Sequence, residues 1–399
     1  MEEWKEYKLE DICSDIFAGG DAKKLKTTQE KNSINRIPVY ANSVDKDGLY
    51  GYCQTPIVLK PAVTVAARGS GTGFVAYRKE PFVPIVRLIT LITKNNVDIQ
   101  FLYYNLKNRN LKGDGSAIPQ ITIPMIKKEI VSIPNIHIQR KISGILSSLD
   151  DKIELNRRIN ENLEQQVQAL FKSWFIDFEP FKDGKFVDSE LGMIPEGWKV
   201  ISIGEIVKEM NTGGDAIQKT PIVEYNTGIK CIRVGDFTNN RAVNDWGVTN
   251  VNDDIYKQYK LNRGDILITR TASIGLVRYI FNDLNAVYNN GIIRLIINEN
   301  VLPSLFVYCY LNSCLFSNHI SKIIGETSVR PNMKINYVSK FKLLLPTNTV
   351  SNKFTSIVSS IYGKIEKNIL EIYKLSQLRD TLLPRLMSGE LEIKDNSYD

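Results

Sequence analysis

The segment ISGILSSLDDKIELN at residues 142–156 returns later in the chain as FTSIVSSIYGKIEKN at residues 354–368. In both segments hydrophobic residues recur every three or four positions, which is typical of an amphipathic helix. In the first copy the pattern continues as far as Trp174. It predicts a helix over residues 142–174, about 50 Å long at ~1.5 Å per residue. The second copy predicts a similar helix near the end of the chain.

Each predicted helix carries one stripe with heptad spacing and polar interruptions. The stripe positions are Ile142, Ile145, Leu149, Lys152, Asn156, Ile159, Leu163, Gln166 and Leu170 in the first helix, and Phe354, Ile357, Ile361, Lys364, Asn368, Glu371, Leu375, Leu378 and Leu382 in the second. Two such stripes predict an intramolecular antiparallel coiled coil. The alternative is that each helix packs separately on its own domain.

Asn156 and Asn368 occupy matching positions of the two stripes. A buried asparagine in a helix seam commonly fixes register at some cost in stability. The alternative is that the seam shifts there, so that Ile153 and Ile369 point inward instead.

Three further pairs of segments repeat in the same order. EEWKEYKLEDI (2–12) returns as PEGWKVISIGEI (195–206), VTVAARGSGTGFVAY (63–77) as DILITRTASIGLVRY (265–279), and SAIPQITIPMIKKEIVSIP (116–134) as SVRPNMKINYVSKFKLLLP (328–346). In this alignment Arg68, Gly73 and Tyr77 match Arg270, Gly275 and Tyr279. Four ordered matches indicate a duplicated unit that consists of a domain and a helix.

Short β-like runs separated by Gly, Pro, Asn and Asp fill the first part of each copy, with a helical stretch between them. The fold class is therefore α+β, with mixed helices and strands. The repeat predicts a β-rich domain over residues 1–137, a long spacer helix over 138–185, a second domain over 186–349, and a second long helix with its tail over 350–399.

The composition is that of an ordinary globular protein with a mild basic surplus. Among 399 residues, 51 Lys and Arg oppose 44 Asp and Glu, which gives a net charge of +7. This permits a polyanionic partner without requiring one. Five cysteines without a C-x-x-C pair are expected to be reduced thiols in a cytoplasmic protein. We expect no signal peptide, no membrane span and no metal site built on the two histidines.

The glycine-rich stretch ARGSGTGFVAY at residues 67–77 is either a phosphate-binding loop or a tight turn between strands. No Lys-Ser/Thr follows it, and the next residues are strand-like and contain two prolines. The second copy, TRTASIGLVRY at residues 269–279, keeps only Gly275 of the three glycines. The comparison favours a strand turn that presents an arginine. With no catalytic motif found elsewhere, we expect recognition rather than reaction.

Four motifs together resemble the specificity subunit of type I restriction-modification enzymes. They are LFKSWFIDFEPF (170–181), LGMIPEGWKVISIGEI (191–206), RGDILITRTASIG (263–275) and LRDTLLPRLMSGEL (378–391). The resemblance covers nearly the whole chain. The first copy departs from it, because it lacks the IPEGW and RGDIL motifs.

The resemblance implies two target-recognition domains that read the halves of a split, asymmetric sequence in double-stranded DNA. It implies that the two antiparallel helices hold these domains apart with pseudo-two-fold symmetry. The helix pair would bind two modification (methyltransferase) subunits, which restriction subunits join for host defence. The chain itself would have no catalytic residue and no cofactor. S-adenosylmethionine, ATP and Mg²⁺ would belong to the partner subunits.

Candidate DNA contacts come from the matched turns and from the prolyl loops, where polar side chains at a rigid edge are suited to bind bases or phosphates. In the first copy they are Arg68, Ser70, Thr72, Tyr77, Ser116, Gln120 and Lys128. In the second they are Thr269, Arg270, Thr271, Ser273, Tyr279, Thr327, Ser328, Arg330, Asn332 and Lys334. The alternative for both tyrosines is a half-buried strand position.

Three alternatives stay open from the sequence. The chain is a specificity subunit, a stand-alone DNA-binding regulator with two domains, or an enzyme that binds a nucleotide at residues 69–73. The aromatic helix exit ALFKSWFIDFEPF (169–181) either packs on its own domain or forms an apolar surface for the modification subunit.

Overall fold

The computed structural model describes residues 4–69, 71–109, 111–114, 119–214, 222–325, 332–391 and 393. The chain forms two compact units, which are residues 1–154 with 374–399 (unit 1) and residues 155–373 (unit 2). Both units combine strands and helices, as the α+β prediction requires.

Two helices of 40 residues each contribute to both units: α4, Ile136–Phe175, and α11, Asn348–Met387. The remaining elements of unit 1 are the helices α1 Leu9–Ile12, α2 Ile99–Arg109 and α3 Ile123–Lys128, and the strands β1 Lys5–Lys8, β2 Cys13–Ala18, β3 Ile37–Tyr40, β4 Leu49–Cys53, β5 Ala62–Val65, β6 Val75–Arg78, β7 Val83–Pro84, β8 Ile89–Thr93 and β9 Ile130–Ile133.

Unit 2 repeats this series with a few additions. Its helices are α5 Ile203–Ile206, α6 Val234–Thr238, α7 Asp253–Tyr259, α8 Ser304–Leu311, α9 Cys314–Gly325 and α10 Ile335–Ser339. Its strands are β10 Phe186–Val187, β11 Ile194–Pro195, β12 Lys199–Ser202, β13 Val207–Thr212, β14 Ile222–Val223, β15 Lys230–Ile232, β16 Gly247–Thr249, β17 Ile266–Thr269, β18 Val277–Tyr279, β19 Ala286–Tyr288, β20 Ile292–Ile297 and β21 Lys342–Leu345.

The sheet topology confirms the duplication. Unit 1 has a four-stranded antiparallel sheet ordered β2-β8-β5-β6, and unit 2 has the same sheet as β13-β20-β17-β18. The order β4-β3-β7 likewise returns as β16-β15-β19, to which β14 is added. In each unit a two-stranded ribbon, β1-β9 or β12-β21, leads into the long helix that follows.

The predicted antiparallel helix pair is observed in unit 2. Asn156 of α4 donates to Glu371 of α11 at 2.9 Å, and Asn368 of α11 donates to Asn160 of α4 at 2.7 Å. Later residues of α4 therefore meet earlier residues of α11. Both asparagines are buried. The alternative was that Ile153 and Ile369 point inward in place of the asparagines. Ile153 is buried as well, whereas Ile369 is 40% exposed.

The predicted heptad stripes are displaced by one residue along much of both helices. Leu146, rather than Ile145, is buried in α4, and Val358, rather than Ile357, is buried in α11. The reason is that each helix also packs on a β-rich domain, so its buried face is broader than a two-helix seam. Lys152, Gln166 and Lys364, which the pattern placed in the seam, are exposed.

A polar network attaches the domain of unit 1 to its helices. The buried Tyr104 of α2 donates to Asp150 of α4 at 2.8 Å, and the Asp150 carboxylate also accepts from Arg379 of α11 at 2.7 Å. Burial, reinforced by the neighbouring carboxylate, raises the pKa of Tyr104, so its hydroxyl remains a donor at neutral pH. Around this network, Leu146 and Leu383 belong to the hydrophobic core of unit 1.

The aromatic exit of α4 lies in the core of unit 2. Phe171 and Phe175 are each 1% exposed, and Phe171 packs against Tyr310 at a ring distance of 5.2 Å. These two residues therefore pack inside a domain of this chain, which was the first alternative for the segment. Among the described residues, none of the helices combines the length and the hydropathy needed to cross a bilayer.

Candidate nucleic-acid interface

In unit 1 the glycine-rich stretch forms the turn between β5 and β6. Gly73 has φ = +87°, and a Cβ atom on it would lie 2.0 Å from the Leu111 carbonyl oxygen. The glycine is therefore required by the close approach of the backbone. The Thr72 hydroxyl donates to Gly69 O at 2.8 Å and to Pro119 O at 3.1 Å, which ties the turn to the prolyl loop.

A second turn lies beside this one, between β7 and β8. Asn42 connects the two turns, because its Oδ1 accepts from Ala67 N at 2.8 Å and its Nδ2 donates to the Val86 carbonyl. The prolyl loop joins them through Ile121 N, which donates to Ala67 O at 2.8 Å. We call the described residues of segments 42–48, 66–74, 85–88 and 111–121 the recognition face of unit 1.

The corresponding turns of unit 2 meet around one arginine. The Nε of Arg270 lies 3.1 Å from Asn332 Oδ1, and its Nη1 lies 3.2 Å from Asn290 Oδ1. Near them, Thr238 at the end of α6 donates to the Ser273 hydroxyl at 3.3 Å. We call the described residues of segments 234–241, 269–276, 289–292 and 332–334 the recognition face of unit 2.

The sequence repeat aligns Arg68 with Arg270, but the backbone hydrogen bonds of the two turns pair Arg270 with the residue before Arg68. Ala67 O accepts from Ile121 N, whereas Arg270 O accepts from Met333 N in the same place. The reason is that the second turn is one residue shorter: Gly73 N donates to Ala66 O, and Gly275 N donates to Thr269 O. Arg270 therefore occupies the position of Ala67, and Arg68 that of Thr271.

A similar equivalence relates the neighbouring turns. Ile85 N donates to Tyr40 O and Leu88 N to Ile85 O, and in unit 2 Asn289 N donates to Ile232 O and Ile292 N to Asn289 O. Residues 85–88 thus correspond to residues 289–292. In unit 2 this turn supplies Asn290, which holds the Arg270 guanidinium.

Of three predicted contacts on strands, one is buried, and the two tyrosines occupy the half-buried strand positions that were the alternative for them. Thr269 is fully buried, and its Oγ1 accepts from Leu276 N at 3.0 Å, so it stabilises the turn. Tyr77 is half-buried against Tyr103, and Tyr279 is bonded to Ser304 at 2.9 Å. Burial raises the pKa of both tyrosine hydroxyls.

Apart from Lys128, the other predicted contacts among the described residues belong to these faces. Thr271 and Ser273 are partly exposed, and Asn332 and Lys334 are exposed. In unit 1, Arg68 forms a backbone bridge with Gln120, and Lys128 is exposed in the last turn of α3. Ser70, Ser116, Thr327, Ser328 and Arg330 lie outside the described residues.

Sequence reasoning missed Asn42, Arg87, Thr238 and Asn290. Arg87 is exposed on the β7–β8 turn with φ = +63°, and Asn290 is exposed on the equivalent turn. The short motif Asn289-Asn290-Gly291 is itself a turn signal, so Asn290 had a detectable pattern. Arg87 had none, because the surrounding PIVRL reads as a strand.

The two units thus present polar side chains and arginines on turns at the edge of a rigid sheet. Arg, Asn and Thr in such places bind base edges and phosphates. This arrangement is the one expected of a two-domain nucleic-acid recognition protein.

Comparisons with known proteins identify the family. A family model described as the type I restriction modification DNA specificity domain matches residues 1–165 and again residues 195–373. The chain therefore belongs to the family of type I restriction-modification specificity subunits, as the resemblance of its motifs predicted.

Individual relatives agree with this assignment. The chain is 31% identical over 369 residues to the type I restriction enzyme MjaIX specificity subunit of Methanocaldococcus jannaschii, covering 86% of this chain and 80% of the relative. It is 25% identical over 466 residues to the HindI specificity subunit of Haemophilus influenzae, covering 98% and 100%. A crystal structure of the S subunit from M. genitalium has the same fold, with a TM-score of 0.61 at 18% identity, covering 98% and 97% of the two chains.

Replacement of Arg270 by alanine is expected to weaken specific DNA methylation by the assembled complex about tenfold or more, because one good base contact contributes ~1–3 kcal/mol. Assembly with the partner subunits should be unchanged, since Arg270 lies on the recognition face. The measurement is the methylation rate of a target DNA together with gel filtration of the complex.

The matched control is Arg263→Ala, which removes an exposed arginine just before β17, at the end of that strand opposite Arg270. We expect Arg263→Ala to methylate at the normal rate. Loss of assembly in Arg270→Ala would show that this arginine has a structural role instead.

Proposed function

We propose that this chain selects the DNA sequence for a type I restriction-modification complex, and that each recognition face reads one half of a bipartite, asymmetric target. The observation that supports this is a duplicated scaffold with unlike side chains at equivalent positions. Ala67 of unit 1 corresponds to Arg270, and Arg68 corresponds to Thr271. Because the donors differ, the two faces prefer different bases.

We further propose that the long helices bind two copies of the modification subunit, and that restriction subunits join this core. Family membership supports the proposal, because the relatives are named as subunits of type I restriction enzymes. In this proposal the partner covers exposed side chains of the long helices such as Leu155, Leu370 and Leu378, which are 51%, 51% and 48% exposed. In this proposal S-adenosylmethionine, ATP and Mg²⁺ are held by the partner subunits, and this chain carries out no chemical step.

Gel filtration of the chain with its modification subunit tests the scaffolding role. We expect both proteins to elute together, in a ratio of two modification subunits to one specificity chain. Separate elution, combined with tight and specific DNA binding by the chain alone, would instead identify a stand-alone regulator.

A further inference from the structure

The β7–β8 turn of unit 1 holds two large side chains in a backbone conformation that usually requires glycine. Val86 has φ = +53° and Arg87 has φ = +63°. For a β-branched or bulky residue this left-handed conformation costs free energy, and it persists only where the surroundings enforce it. Both side chains are exposed, so core packing does not account for the conformation.

Hydrogen bonds to the backbone carbonyls of Gly19 and Gly20 hold this turn. Val86 N–H donates to Gly20 O at 2.8 Å, and Arg87 N–H donates to Gly19 O at 3.0 Å. A Cβ atom on Gly19 would lie 2.5 Å from the Pro84 carbonyl carbon, so the two segments touch backbone to backbone. The position of Arg87 is thus fixed by the fold.

The equivalent turn of unit 2 has glycine at this position, although Gly291 does not have the positive φ of Arg87. A Cβ atom on Gly291 would lie 2.7 Å from Val234 Cγ2 and 2.9 Å from Thr271 Oγ1, so a side chain there would have to displace both groups. The arginine of this face comes from the adjoining turn, where Arg270 N–H donates to Gly291 O at 2.8 Å. In unit 1 the position of Arg270 is taken by Ala67, which has no guanidinium. Unit 1 therefore has its arginine on the β7–β8 turn, at Arg87. Unit 2 has its arginine on the adjoining turn, at Arg270.

The Arg87 side chain is available for a ligand. Among the residues that the structure describes, it forms no side-chain hydrogen bond or ion pair. It projects from the turn that Asn42 joins to the β5–β6 turn, so it belongs to the same face as Arg68. A planar guanidinium with two parallel donors matches guanine O6 and N7 in the major groove.

We propose that Arg87 is a specificity-determining residue that reads a guanine in the half-site of unit 1. This inference rests on the proposed function and assigns one residue, Arg87, to one base of the half-site. Unit 2 reads its own half-site from a different turn, through Arg270.

The test uses the full chain assembled with its modification subunit and compares Arg87→Gly, Arg87→Lys and wild type. Arg87→Gly introduces the residue of unit 2 and relieves the left-handed backbone, so folding is not endangered. The control Lys79→Ala removes an exposed positive charge just after β6, at the end of that strand opposite the β5–β6 turn. Sequencing of methylated DNA gives the motif of each complex.

We expect Arg87→Gly to lose the requirement for guanine at one position of one half-site, with the preference over other bases falling roughly tenfold to a hundredfold. Arg87→Lys should relax the same position, because it keeps the charge but not the paired donors. The other half-site and the Lys79→Ala motif should not change.

Two results would overturn the assignment. One is an unchanged motif, and the other is uniformly weaker methylation at every site with no base relaxed, which indicates a phosphate contact. If wild type itself shows no two-part motif, the proposed function fails and the assignment fails with it.

Discussion

Exchange of residues 1–137 for those of a related specificity subunit is expected to replace one half of the DNA target and to leave the other half unchanged. The exchanged segment contains the β-rich domain and recognition face of unit 1, including Arg68 and Arg87. The face of unit 2 around Arg270 stays intact. The methylated motif of the chimera, assembled with the modification subunit, measures both halves at once.

The structure specifies what the donor domain must keep. Tyr104 donates to Asp150, which stays with the recipient, so the donor needs a tyrosine at that place. Its core must also accept Leu383 and Leu386 at the end of α11. The reciprocal exchange of residues 186–349 is the control and should replace only the other half-site. A chimera in which both halves change would contradict independent reading by the two domains.

Replacement of Phe171 by alanine is expected to destabilise unit 2 by about 3–5 kcal/mol, the usual cost of removing a buried phenylalanine. Phe171 is 1% exposed and packs against Phe175, Tyr310 and Phe354, with ring distances between 5.2 and 6.1 Å. These residues come from α4, α8 and α11. The cavity would therefore loosen the domain and both helices together.

Thermal unfolding measures this effect. For a domain of this size the loss corresponds to a midpoint lower by roughly 6–20 °C. Leu155→Ala on the same helix is the matched control, because Leu155 is 51% exposed and its truncation should shift the midpoint little. A Phe171→Ala protein as stable as wild type would show that the aromatic exit of α4 does not belong to the core.

The duplication and the helix pair were predictable because both are written in long, repeated patterns. The described parts of the four repeated segments fall on corresponding strands or helices of the two units. The displacement of the helix stripes was not predictable from periodicity alone. Leu146 and Val358 are buried because each helix packs on a β-rich domain as well as on the other helix. A heptad pattern predicts only the contact between the two helices.

The recognition faces were predictable only in part. The turn of Gly73 was found from its repeat, and the residues around it carry the shared hydrogen bonds. The pairing of Arg68 with Arg270 was wrong by one residue. The second turn is one residue shorter than the first, and the sequence similarity does not reveal where the missing residue lies. Arg87 was missed because a left-handed backbone at a non-glycine residue has no local sequence signal. It depends instead on tertiary hydrogen bonds that Val86 and Arg87 donate to the carbonyls of Gly20 and Gly19.

The most direct test of the central claim is single-molecule sequencing of methylated adenines in DNA from cells that make this chain with its modification subunit. The account predicts one motif with two short, different specified parts on either side of an unread gap. A continuous motif, or two identical halves, would contradict reading by two unlike domains of one chain.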